Sequence, residues 1–305
     1  MTALIVPPGS VPLCLFAVHI ADMVLARPWV AGGWVGAALL VLWGSWRIRE
    51  EDIPRTALLT AAFFVASSIH LSLGISSAHL LLNGFLGVVL GRRAALAIPI
   101  GVFMQAVLLR HGGFSTIGIN SCIMVLPALL AGPLFHALKR LPGVRAPWFR
   151  VSLVGLSAFL LIISLVNTSM LLRSKFVSAS GAMDQALAND VTFHPLTLLI
   201  AVVLSGVAAV VEKRMDNAPE FALGLLVGEL SVLATVLLHF IVLVAGGVSD
   251  WESWALVDVI VHLPIAIVEG MVLGFTVGFL VRVKPELLGW HVEREKEPCV
   301  ADPVA

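Results

Sequence analysis

The chain has 305 residues, 59% of them hydrophobic and only 12% charged, with 19 basic and 19 acidic side chains and a formal net charge of zero. An ordinary soluble domain is about 25% charged, so this composition cannot clothe a water-facing surface and the chain belongs in a bilayer. Balanced charge also leaves no basic face for nucleic acid.

Residues 1–17, MTALIVPPGSVPLCLFA, form an extra N-terminal segment. It has an apolar centre, no positive leading region, and interruptions at Pro7, Pro8 and Pro12. HIAD follows (19–22), an imidazole and a carboxylate at the edge of the apolar region. The residues alone leave open a metal site, a proton relay or a plain helix boundary. Apolar runs then predict helices at 29–46, 56–73, 79–91, 94–109, 119–138, 151–172, 195–211, 221–246 and 255–281. Lipid offers the backbone no hydrogen-bond partner, so spans must be helical. The expected fold is an all-α polytopic transmembrane bundle of about 8–9 spans, given that a crossing needs roughly 20 residues. The short third and fourth helices read as one broken pair inside the bundle.

Lysine and arginine set the orientation. With the N-terminus outside and the C-terminus cytoplasmic, 15 of the 19 basic residues fall in inner loops, leaving Arg27, Arg110, Arg173 and Lys175 outside. The polar loop 173–194 is then extracellular, and residues 289–305 form a cytoplasmic tail. Tryptophans at predicted helix ends (Trp29, Trp34, Trp43, Trp46, Trp251, Trp254) supply an interfacial belt that the absent tyrosines cannot. Cys14, Cys122 and Cys299 have no metal-ligand spacing and read as packed thiols.

This topology gathers three histidine-bearing segments on the outer side. In SLGISSAHLLLNG, Gly74 and the serines make a turn, His79 opens the next helix and Asn83 lies one turn further on. The helix dipole disfavours a protonated imidazole there, and a neutral imidazole is what a metal requires. A capping turn with a hydrogen-bonded histidine is the plainer alternative. In RHGGFSTIGIN, two glycines after His111 permit a sharp backbone approach, and Thr116 and Asn120 bring polar groups to a depth where they must be satisfied. Either a self-satisfied loop or a substrate network meets that need, and Gln105 can join both. Elsewhere, Glu269 sits mid-span, where an unpaired carboxylate costs roughly 3 kcal/mol or more. His262 shares its face, and Glu229 is a second intramembrane acid. Polar glue between helices and a proton path both fit these three. His70 is a secondary outer candidate, while His136, His194, His239 and His291 read as structural or solvated. No GxxxxGK[ST], HExxH or GxSxG occurs, so ATP hydrolysis by a phosphate loop and two hydrolytic chemistries are set aside.

Together HIAD (19–22), SSAHLLLNG (76–84), QAVLLRHGGFSTIGIN (105–120), HLPIAIVEG (262–270) and VKPELL (283–288) resemble the membrane component of the cobalt/nickel energy-coupling-factor transporters, the CbiM/NikM family. The resemblance covers about 29–140 and 221–288, and marks 18–288 as the transport domain. In that family the chain begins Met-His. The metal is held by the terminal amine, the backbone nitrogen and imidazole of that histidine, and a second histidine from a Ser-x-His loop. The resemblance implies His19 and His79 as ligands with the nitrogen of Val18, and His111, Asn120, Gln105 and Asn83 as the hydrogen-bonded support around them. Co(II) or Ni(II) is the transported substrate, feeding corrinoid synthesis or nickel enzymes, and no organic cofactor is implied. A transmembrane coupling subunit, a cytoplasmic ABC-type ATPase and a small accessory membrane subunit are the implied partners, in a bacterial inner membrane.

The chain departs from the family where Val18 replaces the initiator methionine behind 17 further residues. Translation starting at a GTG codon for residue 18, cleavage after Ala17, and retention of the extension with Asp22 or His70 as substitute ligand are the three explanations. The expected function is therefore metal capture without catalysis. The alternatives are a proton-coupled secondary transporter using Glu229, Glu269 and His262, and an intramembrane metal hydrolase.

Overall fold

A computed structural model of the protein describes residues 19–72, 77–177, 195–214, 219–249 and 251–288. The segment 1–17, Val18, most of 173–194, His194, His291 and the tail lie outside the described residues.

Nine α-helices carry the described chain: α1 (Arg27–Ser45), α2 (Asp52–Ser68), α3 (Asn83–Leu90), α4 (Ala94–Leu109), α5 (Ile117–Lys139), α6 (Pro147–Val177), α7 (Pro195–Arg214), α8 (Glu220–Gly246) and α9 (Glu252–Val283). Beside them is one short antiparallel ribbon, β1 (His70–Ser72) with β2 (Ser77–His79), in which His70 pairs with His79. Several ends differ from those expected. The second helix stops at Ser68 instead of running to residue 73, because the apolar residues after it enter the ribbon. The sixth starts at Pro147, a residue whose fixed φ suits a first turn and whose missing N–H costs nothing there.

Among the described residues seven segments are long and apolar enough to cross a membrane: Arg27–Ser45, Asn83–Leu109, Ile117–Lys139, Pro147–Ser169, Pro195–Arg214, Glu220–Gly246 and Ala255–Val283. The 17 residues of α2 make a shorter helix, about 26 Å at 1.5 Å per residue. The run Asn83–Leu109 is not one rod. Gly91, at φ +55°, breaks it, and the rings of His79 before α3 and His111 after α4 are only 5.1 Å apart. The chain therefore descends through α3 and returns through α4. Every residue of α3 except Phe85 is buried, as a broken helix needs if its loose backbone groups are to find protein partners.

Two ends of the bundle are distinct. At one, Arg93 donates to Gly44 O, Trp46 O and Arg47 O and pairs with Asp52 at 3.1 Å. Arg55 donates to Leu287 O, and Arg145 pairs with Glu220. At the other end, Ala26 N donates to Gly246 O and Trp34 Nε1 to Ser115 O. Helices α1 and α8 each run from one end to the other. Between the ends, α8 and α9 meet through glycines: a Cβ on Gly224 would lie 2.7 Å from Gly274 Cα, and one on Gly228 2.7 Å from Gly270 Cα. Lipid does not drive helices together, so small residues that let backbones touch do that work. The main core joins Phe63, Leu86, Ile98, Met124 and Val232 from five helices.

Candidate metal site

HIAD is an irregular segment ahead of α1, and it is tied down by the loop between α4 and α5. Asn120 accepts from Ile20 N at 2.9 Å and donates to Ile20 O at 3.1 Å. Gly113 N and Thr116 Oγ1 also donate to Ile20 O. Asp22 accepts from Phe114 N at 3.1 Å and from the backbone and hydroxyl of Ser115. Such an approach needs glycine opposite it. Gly112 lies at φ +77°, and a Cβ there would sit 2.9 Å from His19 Cβ; one on Gly113 would collide with Asp22.

This docking brings His19 beside His79 and His111. All three ring-centroid separations are 5.1 Å, with the His19 and His79 rings nearly parallel and the His111 ring edge-on to both. One nitrogen from each ring lies within 4.8 Å of the other two, close enough for the three to hold a metal ion. His19 and His79 are each 2% exposed. His79 Nδ1 is 3.1 Å from Leu80 O, which fixes its proton there and leaves the Nε2 lone pair without a protein partner. The nitrogens of His19 are buried, with Gln105 the polar side chain facing them among the described residues. Burial, reinforced by His79 and His111, holds His19 well below its ordinary value, while Gln105 pulls weakly the other way. Burial and then His111 bring His79 down to about 3. Both rings are neutral at pH 7, the form that ligates.

The other predicted residues have separate partners. Gln105 donates from Nε2 to Ser67 Oγ on α2. Asn83 donates to Thr235 Oγ1 at 2.6 Å and to Met124 O, tying α3 to α8 and α5 below the rings. Asp22 is exposed and braces the loop by the bonds above, so its carboxylate is not among the converging nitrogens. The backbone of His70 flanks His79 in the ribbon, and its side chain lies outside what the structure describes. Glu229, Glu269 and His262 do not form one hydrogen-bonded path among the described residues. Glu269 accepts from Leu81 N and Leu82 N, closing the broken start of α3. Glu229 accepts from Ser157 Oγ on α6. His262 turns its Nδ1 to Asp258, at 2.8 Å from the backbone oxygen and 3.3 Å from the carboxylate.

Asp258 was not anticipated. Its other carboxylate oxygen is 3.0 Å from His239 Nδ1, so one buried acid bridges two buried imidazoles. The spacing of Asp258 and His262, four residues on one helix, was a readable signal. His239, on α8, had none for this partner; buried and bridged to Asp258, it takes the structural one of the two roles expected of it, structural or solvated.

The family model described as the cobalt uptake substrate-specific transmembrane region matches residues 19–204 and 188–287. A putative metal transport protein of Haemophilus influenzae is 40% identical over 119 residues, which cover 39% of this chain and 58% of that protein, so the match spans less than two thirds of it. The cobalt transport protein CbiM of Chlorobium limicola is 30% identical over 205 residues, 64% of this chain and 78% of that protein. A putative fused cobalt transport protein CbiMQ of Methanocorpusculum labreanum is 26% identical over 205 residues, 64% of this chain and 34% of that protein.

Proposed function

Because the chain belongs to the CbiM family of cobalt uptake transmembrane regions, we propose that it is the metal-capture membrane subunit of an ATP-driven importer of Co(II), with Ni(II) as the neighbouring substrate. The convergence of His19, His79 and His111 on one buried spot carries this reading. His19 and His79 bind the ion, and Val18 lies next in the chain to supply a backbone nitrogen or a freed amine. Asn120, Gln105 and Asn83 hold the surrounding segments in register, as outer-sphere partners do for ligating histidines. The imidazole end faces outward and the arginine-rich end faces the cytoplasm, in keeping with the positive-inside rule.

The chain acts as a transport component, and chemical energy comes from elsewhere. A transmembrane coupling subunit and an ABC-type ATPase dock on the cytoplasmic side, with a small accessory membrane subunit alongside. The existence of a relative named as a fused CbiMQ protein supports such a partnership. A bacterial inner membrane is the setting. The proton-coupled alternative loses ground because Glu269 and Glu229 are engaged with different partners, α3 and α6.

Radioactive cobalt uptake by cells expressing the chain with its partners tests the proposal. His79→Ala should lower uptake at least about tenfold, while collapse of the proton gradient with ATP maintained should leave uptake in place. Uptake that ignores His79→Ala, or that vanishes with the proton gradient, contradicts it.

A further inference from the structure

A doubly charged ion asks more than lone pairs of the protein that buries it. Neutral imidazoles supply nitrogen ligands and no charge, and an uncompensated charge in a low-dielectric interior carries a large desolvation cost. A buried acid near the outer histidines offsets that cost. Asp22 is exposed and spends its oxygens on the loop after α4. Glu269 uses both oxygens on the backbone at the start of α3. Glu212 and Glu220 are buried beside Arg150 and Arg145 at the far end of the bundle. Asp258 is the one buried acid left among the described residues.

Its place in the bundle follows from its neighbours. Ile20, next to His19, packs in one core cluster with Val242 on α8 and Ala255 on α9. His239 stands three residues before Val242 and Asp258 three residues after Ala255, so each lies one helical turn deeper on the same side of its helix. The ribbon strand that ends at His79 packs against α9 as well. Two imidazoles grip the carboxylate there: His239 Nδ1 is 3.0 Å from one oxygen and His262 Nδ1 is 3.3 Å from the other. Among the described residues no lysine or arginine pairs with it, so no fixed cation cancels its charge. Against burial and His111, which dominate at the His79 ring, Asp258 favours positive charge there.

We propose that Asp258 is the counter-charge of the captured ion: held between His239 and His262, it stabilises a dication at the outer histidines through space and does not ligate it. This rests on the capture reading above and deepens it, and it holds whichever nitrogens complete the ligand set. Asp258 is then a positioning residue for charge. Coulomb energy scales with the charge of the ion, so the acid favours divalent over monovalent cations at a site whose nitrogen ligands accept both. His239 and His262 serve by fixing the carboxylate, each with its Nδ1 turned to Asp258.

Equilibrium metal binding to the full chain in detergent tests this, with Cys14→Ser, Cys122→Ser and Cys299→Ser removing the thiols that silver would take. Co(II) is titrated directly, and Ag(I), a monocation that imidazole also binds, is measured by its competition with Co(II). Asp258→Asn should weaken Co(II) at least about tenfold, and Ag(I) by about the square root of that factor. Asp258→Glu, which keeps the charge, should restore most of the Co(II) affinity. Equal losses for the two ions assign Asp258 to shaping the site and overturn the proposal, as does unchanged Co(II) binding in Asp258→Asn. If Asp258→Asn does not fold, Asp258→Ser is read in the same way. Failure of both neutral variants to fold beside a folded Asp258→Glu assigns the acid to the fold and also overturns the proposal. A thiol-free chain with Asp258 intact that binds no Co(II) overturns the capture reading, and this one with it.

Discussion

Two imidazoles held neutral by burial set the chemistry of His19 and His79, and they also tie folding to pH. His19 sits well below 6.5 and His79 at about 3, for the reasons of burial and neighbouring rings given above. The unfolded chain takes up protons at these positions once pH drops below about 6.5, while the folded chain refuses them. Stability is therefore fully present above that value and is lost on acidification below it, down to about 3 for His79. The metal-free protein should unfold at a lower temperature at pH 5 than at pH 7, and the His19→Ala, His79→Ala double variant should show a shallower dependence. A wild-type midpoint that is flat or rises on acidification contradicts this. At this scale the sequence was informative about residue types. Histidines in three outer segments were readable because each stood beside glycine or a polar turn in an otherwise apolar chain. The bridge from His239 to Asp258 was not readable, since it joins two helices whose relative rotation no local pattern encodes.

Among the elements, α3 depends on an acid from another helix. Its first turn begins after Leu82, which is itself left-handed at φ +46°, and the N–H groups of Leu81 and Leu82 are met by Glu269. Glu269→Gln keeps one acceptor oxygen and removes the charge. It should cost about 1–3 kcal/mol in stability and weaken cobalt retention, because His79 lies just before this turn. Transport should fall and not disappear. Abolished transport with an unshifted unfolding midpoint would instead favour proton coupling through this acid. The α8–α9 pair is equally specific. Gly228→Leu places a branched side chain where the Gly270 backbone already touches, and should abolish cooperative unfolding and give polydisperse protein in detergent. Unchanged unfolding and monodisperse elution contradict that packing. The broken α3–α4 pair was legible from its short apolar runs flanking Gly91, Arg92 and Arg93. The end of α2 was not, because Ile69 and Leu71 are as apolar in a ribbon as in a helix.

Across the whole molecule, charge and histidine segregate to opposite ends. Arg55, Arg93 and Arg145 are fastened by carbonyls and carboxylates at one end, and His19, His79 and His111 gather at the other. The distribution of 15 of 19 basic residues predicts an orientation in the membrane. What could not be read was how three segments separated by some 30 to 60 residues meet at one point. That closure comes from Asn120, Thr116 and Asp22 binding the HIAD segment to the loop after α4, and from the return of the chain through α3 and α4. The central claim is that this meeting point captures a transition metal. Equilibrium binding of Co(II) to the purified, folded chain measures it most directly. The account predicts one cobalt per chain, lost in His79→Ala while the helical content and the unfolding midpoint at pH 7 stay close to wild type. Absence of stoichiometric cobalt in the wild-type protein, or full retention in His79→Ala, would contradict it.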